Sequence, residues 1–239
     1  MSDDLMEDAP IAKKTMVMFF LIDTSGSMDG EKIETVNEAM QEIIPIVRDI
    51  SNDTTDSEIK FAVLGFDSST SWITPSPVDL NSYKYKELSA GGGTSMGEAF
   101  SELASKLDKN AFLSSQVGNL APVIILLSDG EPTDDHRIGL DVLKQNKWYN
   151  SAIKVAFAIG RDANKSILKD FTQNSELVLE VDNKIMLKKL IKFVSVASSK
   201  VGSKTKSTAA NKQDELVSQV KEEKSKLAAD PEANVSGGW

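Results

Sequence analysis

The sequence contains no cysteine. Disulfide scaffolds, zinc–thiolate sites, iron–sulfur clusters and thiol nucleophiles are therefore excluded. Its single histidine, His136, leaves little for a histidine-built metal centre or a Ser-His-Asp triad. Long apolar runs are missing as well. The longest, 16–22 and 121–127, fall far short of the ~20 residues a membrane helix needs, so no membrane insertion is expected. Positive charge is in deficit: 27 Lys and Arg stand against 36 Asp and Glu, a net charge of −9. Without a dense basic cluster, neither nucleic acid nor an anionic leaflet is an expected partner. The opening MSDDLMEDAP carries four acidic residues and lacks the basic and apolar stretches of a secretory leader. These absences together point to a soluble, cytoplasmic protein.

What is present is enough chain for one core domain and a tail: 239 residues, against about 100–200 for a typical domain. Residues 1–14 read as a flexible acidic segment. From residue 15 onward, short apolar runs alternate with helical patterns. The runs are 15–22, 59–66, 121–128, 152–159 and the shorter 177–181. Such continuous runs suit strands covered on both faces. Residues 69–74 (STSWIT) alternate and are followed by Pro75, which predicts a short antiparallel edge strand beside 59–66.

Between them, Ile33, Val36, Met40, Ile43, Ile44 and Val47 recur at helical spacing, with Pro45 predicting a kink or an early end. Further helices are expected over 96–107, over 133–145 with Thr133 or Asp134 as cap, over 164–171, and over 182–199 capped by Asp182. The alternation predicts a doubly wound, Rossmann-like α/β domain over 15–199. It has a mostly parallel central sheet of about six strands, one of them a short antiparallel edge strand, and helices on both faces. Residues 200–239 read as a polar low-complexity tail. Within it, 209–229 forms at most a weak helix carrying Leu216, Val220 and Leu227, either solvated or docking on a partner. Trp239 is a candidate anchor for such docking, and Trp72, Trp148, Phe66 and Tyr149 read as packing residues.

Open parallel sheets bind ligands beyond the C-terminal ends of their strands, at the switch in strand order. Three loops belong at that edge. Asp23-Thr24-Ser25-Gly26-Ser27 follows the first strand, Gly91-Gly92-Gly93-Thr94 leads into a helix, and Ser128-Asp129-Gly130 ends a later strand. Each alone is an ordinary turn motif. Together they offer two carboxylates, Asp23 and Asp129, and three hydroxyls, Ser25, Ser27 and Thr94. That set suits a hard divalent cation such as Mg²⁺, with Mn²⁺ or Ca²⁺ as substitutes, the carboxylates binding directly or through water. Hydroxyls add no charge, so the ion stays electrophilic and accepts one more anionic oxygen from outside.

These motifs resemble the metal-ion-dependent adhesion site of von Willebrand factor A (vWA) domains, over about residues 15–199. Within that group the chain is most similar to the bacterial TerY-like proteins of tellurium-resistance and stress systems. The resemblance implies Mg²⁺ held directly by Ser25, Ser27 and Thr94, with Asp23 and Asp129 often acting through water. It implies a protein partner whose Asp or Glu completes the shell, with kinase-like or phosphatase-like operon neighbours as candidates.

Other readings fit less well. As a calcium-binding loop, 23–34 has Met28 where glycine is required. Gly92–Gly97 has Glu98 where a phosphate loop needs lysine. An Mg²⁺-dependent hydrolase of a phosphate compound needs a general base, for which Glu131, Asp134, Asp135 and His136 are the candidates. Their plainer role is helix-start charge. A scaffold with an unused metal site is a third reading. Asp29, Glu31, Glu131 and Asp135 are expected to rim the site, which favours a partner with basic residues around its carboxylate.

Overall fold

The computed structural model describes residues 12–161 and 163–231. The acidic segment up to residue 11 and Trp239 lie outside the described residues. Ten residues, Lys14–Asp23, form β1, every one after the first buried. It pairs in parallel with β2 (Ser57–Phe66) on one side and with β5 (Val123–Ser128) on the other. The sheet continues through β6 (Ile153–Ile159) and β7 (Val178–Val181), both parallel. On the far side of β2 lie two short antiparallel strands, β3 (Thr70–Trp72) and β4 (Val78–Asp79). The order is β3-β2-β1-β5-β6-β7, with β4 also on β2, seven strands in all. The fold is therefore the doubly wound, mostly parallel α/β architecture, with β4 as a second antiparallel strand that two residues were too few to announce.

Alternation along β1 divides the core. Met16, Met18, Phe20 and Ile22 face α1 (Glu31–Asp53) and α6 (Lys184–Gly202). Val17, Phe19 and Leu21 face α2 (Met96–Lys106), α3 (His136–Gln145) and α5 (Lys165–Thr172). The second face also holds Phe66 and Tyr149, with Trp72 and Trp148 packed at its margin, so these four aromatics are packing residues. Tyr149 belongs to α4 (Lys147–Ser151), a five-residue turn too short to show periodicity.

Several boundaries differ from expectation. Pro45 does not end α1, which continues to Asp53. Proline removes one helical hydrogen bond, but Pro45 is on the exposed face, where the freed carbonyl is open to water. Buried Ile43, Ile44 and Val47 fix the chain on both sides of it. α3 begins only at His136, capped by Asp135, because Thr133 and Asp134 are engaged elsewhere. α6 is capped by Asn183 rather than Asp182 and runs past the expected boundary at 199 to Gly202.

The 209–229 segment is a helix, α7 (Ala209–Ala229). Leu216, Val220 and Leu227 are buried in the same core cluster as α1 and α6, and Val217 packs partly buried against it. The expectation of a solvated or partner-docking tail does not describe this segment: three large residues at helical spacing suffice to seat it on its own domain. Lys212 assists by donating to the Gly202 carbonyl at 2.6 Å.

Candidate metal site

The chain crosses from β1 out to β4 on one side before returning to β5 on the other. The C-terminal ends of β1 and β5 therefore flank the switch in strand order, where loops diverge and leave a crevice. Asp23 is the last residue of β1 and Ser128 the last of β5. The Ser128 hydroxyl donates to Asp23 Oδ2 at 2.6 Å, and the Ser25 amide donates to Oδ1 at 2.9 Å. Asp23 is fully buried. Burial pushes its carboxyl above the usual range, the bonds from Ser128 and Ser25 draw it back, and the negative charge of Asp129 pushes it up again.

All three loops meet here. The first and third are joined by the Ser128–Asp23 bond and by Ser27 Oγ donating to Asp129 Oδ1 at 2.7 Å. The first and second are zipped by backbone bonds, Gly91 N to Thr24 O at 2.8 Å and Gly26 N to Gly92 O at 3.0 Å. Gly92 has φ of 79°, and a Cβ there would stand 2.6 Å from Ser68 Oγ, so the turn needs glycine. The second and third are joined at Thr94, whose amide donates to Thr133 Oγ1 at 3.0 Å while its carbonyl accepts from Thr133 N at 2.9 Å. Asp134 then caps α2 from outside, accepting from Gly97 N at 3.0 Å and Glu98 N at 2.9 Å. Helix α3 crosses α2 closely enough that a Cβ on Gly139 would stand 2.0 Å from the Gly97 carbonyl oxygen.

The five expected residues are thus brought to one place. Ser25 Oγ and Ser27 Oγ are 3.2 Å apart. A methyl group on Gly130 would lie 3.4 Å from Ser27 Oγ and 3.7 Å from Thr94 Oγ1, so both hydroxyls line the small space above that glycine. Thr94 is only 5% exposed. Octahedral Mg²⁺ holds oxygens at about 2.1 Å, which puts neighbours about 3 Å apart. The donors present fit such an ion in type, and the Ser25–Ser27 pair at 3.2 Å and the Ser27–Asp129 pair at 2.7 Å fit it in spacing. Among the described residues, no three His, Asp or Glu side chains cluster as metal ligands, as expected where hydroxyls outnumber carboxylates.

One participant was missed. Lys32, on the first turn of α1, brings its ammonium onto Asp129 Oδ2 and within 3.1 Å of the Ser27 carbonyl oxygen. The signal available in the sequence was a cation at a helix N-terminus, where the macrodipole disfavours it. The three carboxylates among the candidate bases are committed to structure, while His136 is engaged only through its backbone amide among the described residues. Glu131 accepts twice from Asn164 Nδ2, Asp134 caps α2, Asp135 caps α3, and the His136 amide donates to Asp134 O.

Residues 18–193 match the family profile of the von Willebrand factor type A domain. The chain belongs to that family. Among curated relatives of this vWA domain, mouse inter alpha-trypsin inhibitor heavy chain 4 is 30% identical over 129 residues, 53% of this chain and 13% of that protein. The human heavy chain H4 is 32% identical over 118 residues, 48% of this chain and 12% of its own. The chain thus spans only a small part of the curated relatives it matches.

Solved structures share the fold. The von Willebrand factor type A protein from Catenulispora acidiphila superposes with a TM-score of 0.58 at 21% identity, covering 78% of this chain and 43% of that one. Proximal thread matrix protein 1 from the mussel byssus, solved with a zinc-occupied MIDAS motif, gives 0.57 at 19% identity, covering 80% and 47%. No helix among the described residues of this vWA domain is long and apolar enough to cross a membrane.

Proposed function

We propose that this vWA domain binds Mg²⁺ through the hydroxyls of Ser25, Ser27 and Thr94, with Asp23 and Asp129 contributing directly or through water. The ion then holds an Asp or Glu side chain of a protein partner. The observation that carries this reading is the donor set itself. Two buried carboxylates and three hydroxyls converge where the strand order switches. Such a set leaves a divalent ion able to accept one more anionic oxygen. The zinc-occupied motif of the mussel protein supports metal binding on this fold. The finer setting we propose, a cytoplasmic bacterial tellurium-resistance or stress system, is supported by the motif resemblance.

The hydrolase reading is less well supported, because each carboxylate available as a general base already serves a cap or a loop contact.

Calorimetric titration of the full chain with MgCl₂ tests the proposal. One-site uptake is expected in the wild type and is lost in Thr94→Ala, which keeps the wild-type melting temperature in chelator. Capture of a protein partner from cell extract follows the same pattern, present with Mg²⁺ and absent with chelator or in Thr94→Ala. Undiminished Mg²⁺ uptake by Thr94→Ala refutes the site. Phosphate-ester turnover that disappears in the variant favours the enzyme instead.

A further inference from the structure

We infer that Lys32 is a tethered cation that competes with the divalent ion for Asp129, so that metal uptake requires the lysine side chain to withdraw. This inference rests on the metal-site reading above and goes beyond it by naming what sets the affinity of the site.

α1 opens with Glu31, Lys32, Ile33 and Glu34. The two glutamates suit the positive end of the helix dipole, and Lys32 opposes it. Its side chain is nevertheless drawn inward, only 18% exposed, onto an Asp129 side chain with no exposure at all. Every other ion pair among the described residues uses a carboxylate at least 31% exposed. Lys32 is therefore the counter-charge that makes the buried Asp129 tolerable, since an unpaired buried carboxylate is costly.

Its contacts coincide with those of the proposed metal. Asp129 takes the Ser27 hydroxyl on Oδ1 and the ammonium on Oδ2, and the same ammonium bonds the Ser27 carbonyl. A divalent ion on the Ser27 hydroxyl would face a positive charge held by that same residue and by the same carboxylate. Like charges this close repel strongly where water is scarce. The four-carbon stem of lysine allows the head to swing out into solvent without moving α1. Lys32 thus holds the loops together without metal and lowers the affinity when metal arrives.

The experiment compares Mg²⁺ uptake by the full-length wild type, Lys32→Met, Lys32→Arg and Asp129→Asn. Lys32→Met is expected to bind at least tenfold more tightly than the wild type and to melt at a lower temperature in chelator. Lys32→Arg, which keeps the charge, is expected to stay within about threefold of the wild type. A second measurement uses the wild type alone, so it does not depend on any variant folding. An amine-acylating reagent with peptide mass spectrometry is expected to label Lys32 several-fold faster in Mg²⁺ than in chelator, with other lysines unchanged. Lys32→Met affinity within twofold of the wild type, or a labelling rate that ignores Mg²⁺, overturns the role of Lys32 while leaving the metal site standing. No uptake by the wild type and Lys32→Met alike, or full uptake by Asp129→Asn, overturns the metal-site reading and this inference with it.

Discussion

Replacing Asp134 by alanine tests how the Thr94 loop is held. Its carboxylate accepts from the Gly97 and Glu98 amides at 3.0 and 2.9 Å, both at the start of α2. Thr94 lies two residues before that helix begins. Losing a side chain that caps a helix costs about 0.5–2 kcal/mol, and losing a negative charge at the positive end of the dipole about 0.3–1 kcal/mol more. Asp134→Ala should therefore destabilise the fold by about 2 kcal/mol. For a domain of this size that is a fall of roughly 4–8 °C in melting temperature.

Urea unfolding and thermal melts in chelator measure the loss. Asp134→Asn retains an acceptor and should fall between the wild type and the alanine variant. Mg²⁺ uptake should weaken alongside, because freeing the start of α2 lets Thr94 move away from Ser27. If Asp134→Ala melts within 1 °C of the wild type, Asp134 is not the cap the geometry indicates. If phosphate-ester turnover disappears while stability is unchanged, Asp134 acts as a base and the structural role given to it is wrong.

A buried lysine supplies a pH prediction: desolvation holds Lys154 at about 8 rather than 10.5. Between those values the unfolded chain binds the extra proton, so stability should rise with pH, by about 2 kcal/mol from pH 7.5 to 9.5. Lys154→Met should remove that rise in urea midpoints, and parallel curves for the two proteins would refute the burial argument. For α7, Leu216→Ala should cost about 2–5 kcal/mol, as truncation of a fully buried leucine does. A loss under 0.5 kcal/mol in the same assay would mean that the helix is not seated on the domain.

Much of this was legible in the sequence because the strands are continuous apolar runs and the site residues lie at their ends. The position of Asp23 after 15–22, and of Asp129 after 121–128, needed only the rule that parallel sheets present their C-terminal edges to ligands. What stayed hidden involved side chains reaching across the chain. Lys32 and Asp129 are 97 residues apart, and nothing local in either segment announces their contact. Asp134 looked like the cap of the helix it precedes, and its use as the cap of α2 depends on a helix crossing set by Gly139 on Gly97. In α7 the composition misled. The segment is rich in Lys and Glu, but helical spacing of Leu216, Val220 and Leu227 outweighs its average polarity. Pro45 misled in the opposite direction, because its effect depends on whether it faces water or core.

The charge balance ties the fold to the proposed activity. Burial holds the Asp23 carboxyl above its usual range, and the hydroxyl and amide donors offset that only in part. Asp129 is held by a hydroxyl and an ammonium. On the proposed reading the resting site carries two hydrogen-bonded carboxylates and one movable positive charge. On the proposed reading, a divalent ion neutralises both carboxylates and displaces Lys32 from Asp129, leaving an ammonium and an under-coordinated cation at one edge of the sheet. Both are then available to the same incoming carboxylate. Two acidic residues in a strongly acidic chain can recruit a third acid only if the cation between them is shared with neutral oxygens. On the proposed reading, that is why three of the five donors are hydroxyls.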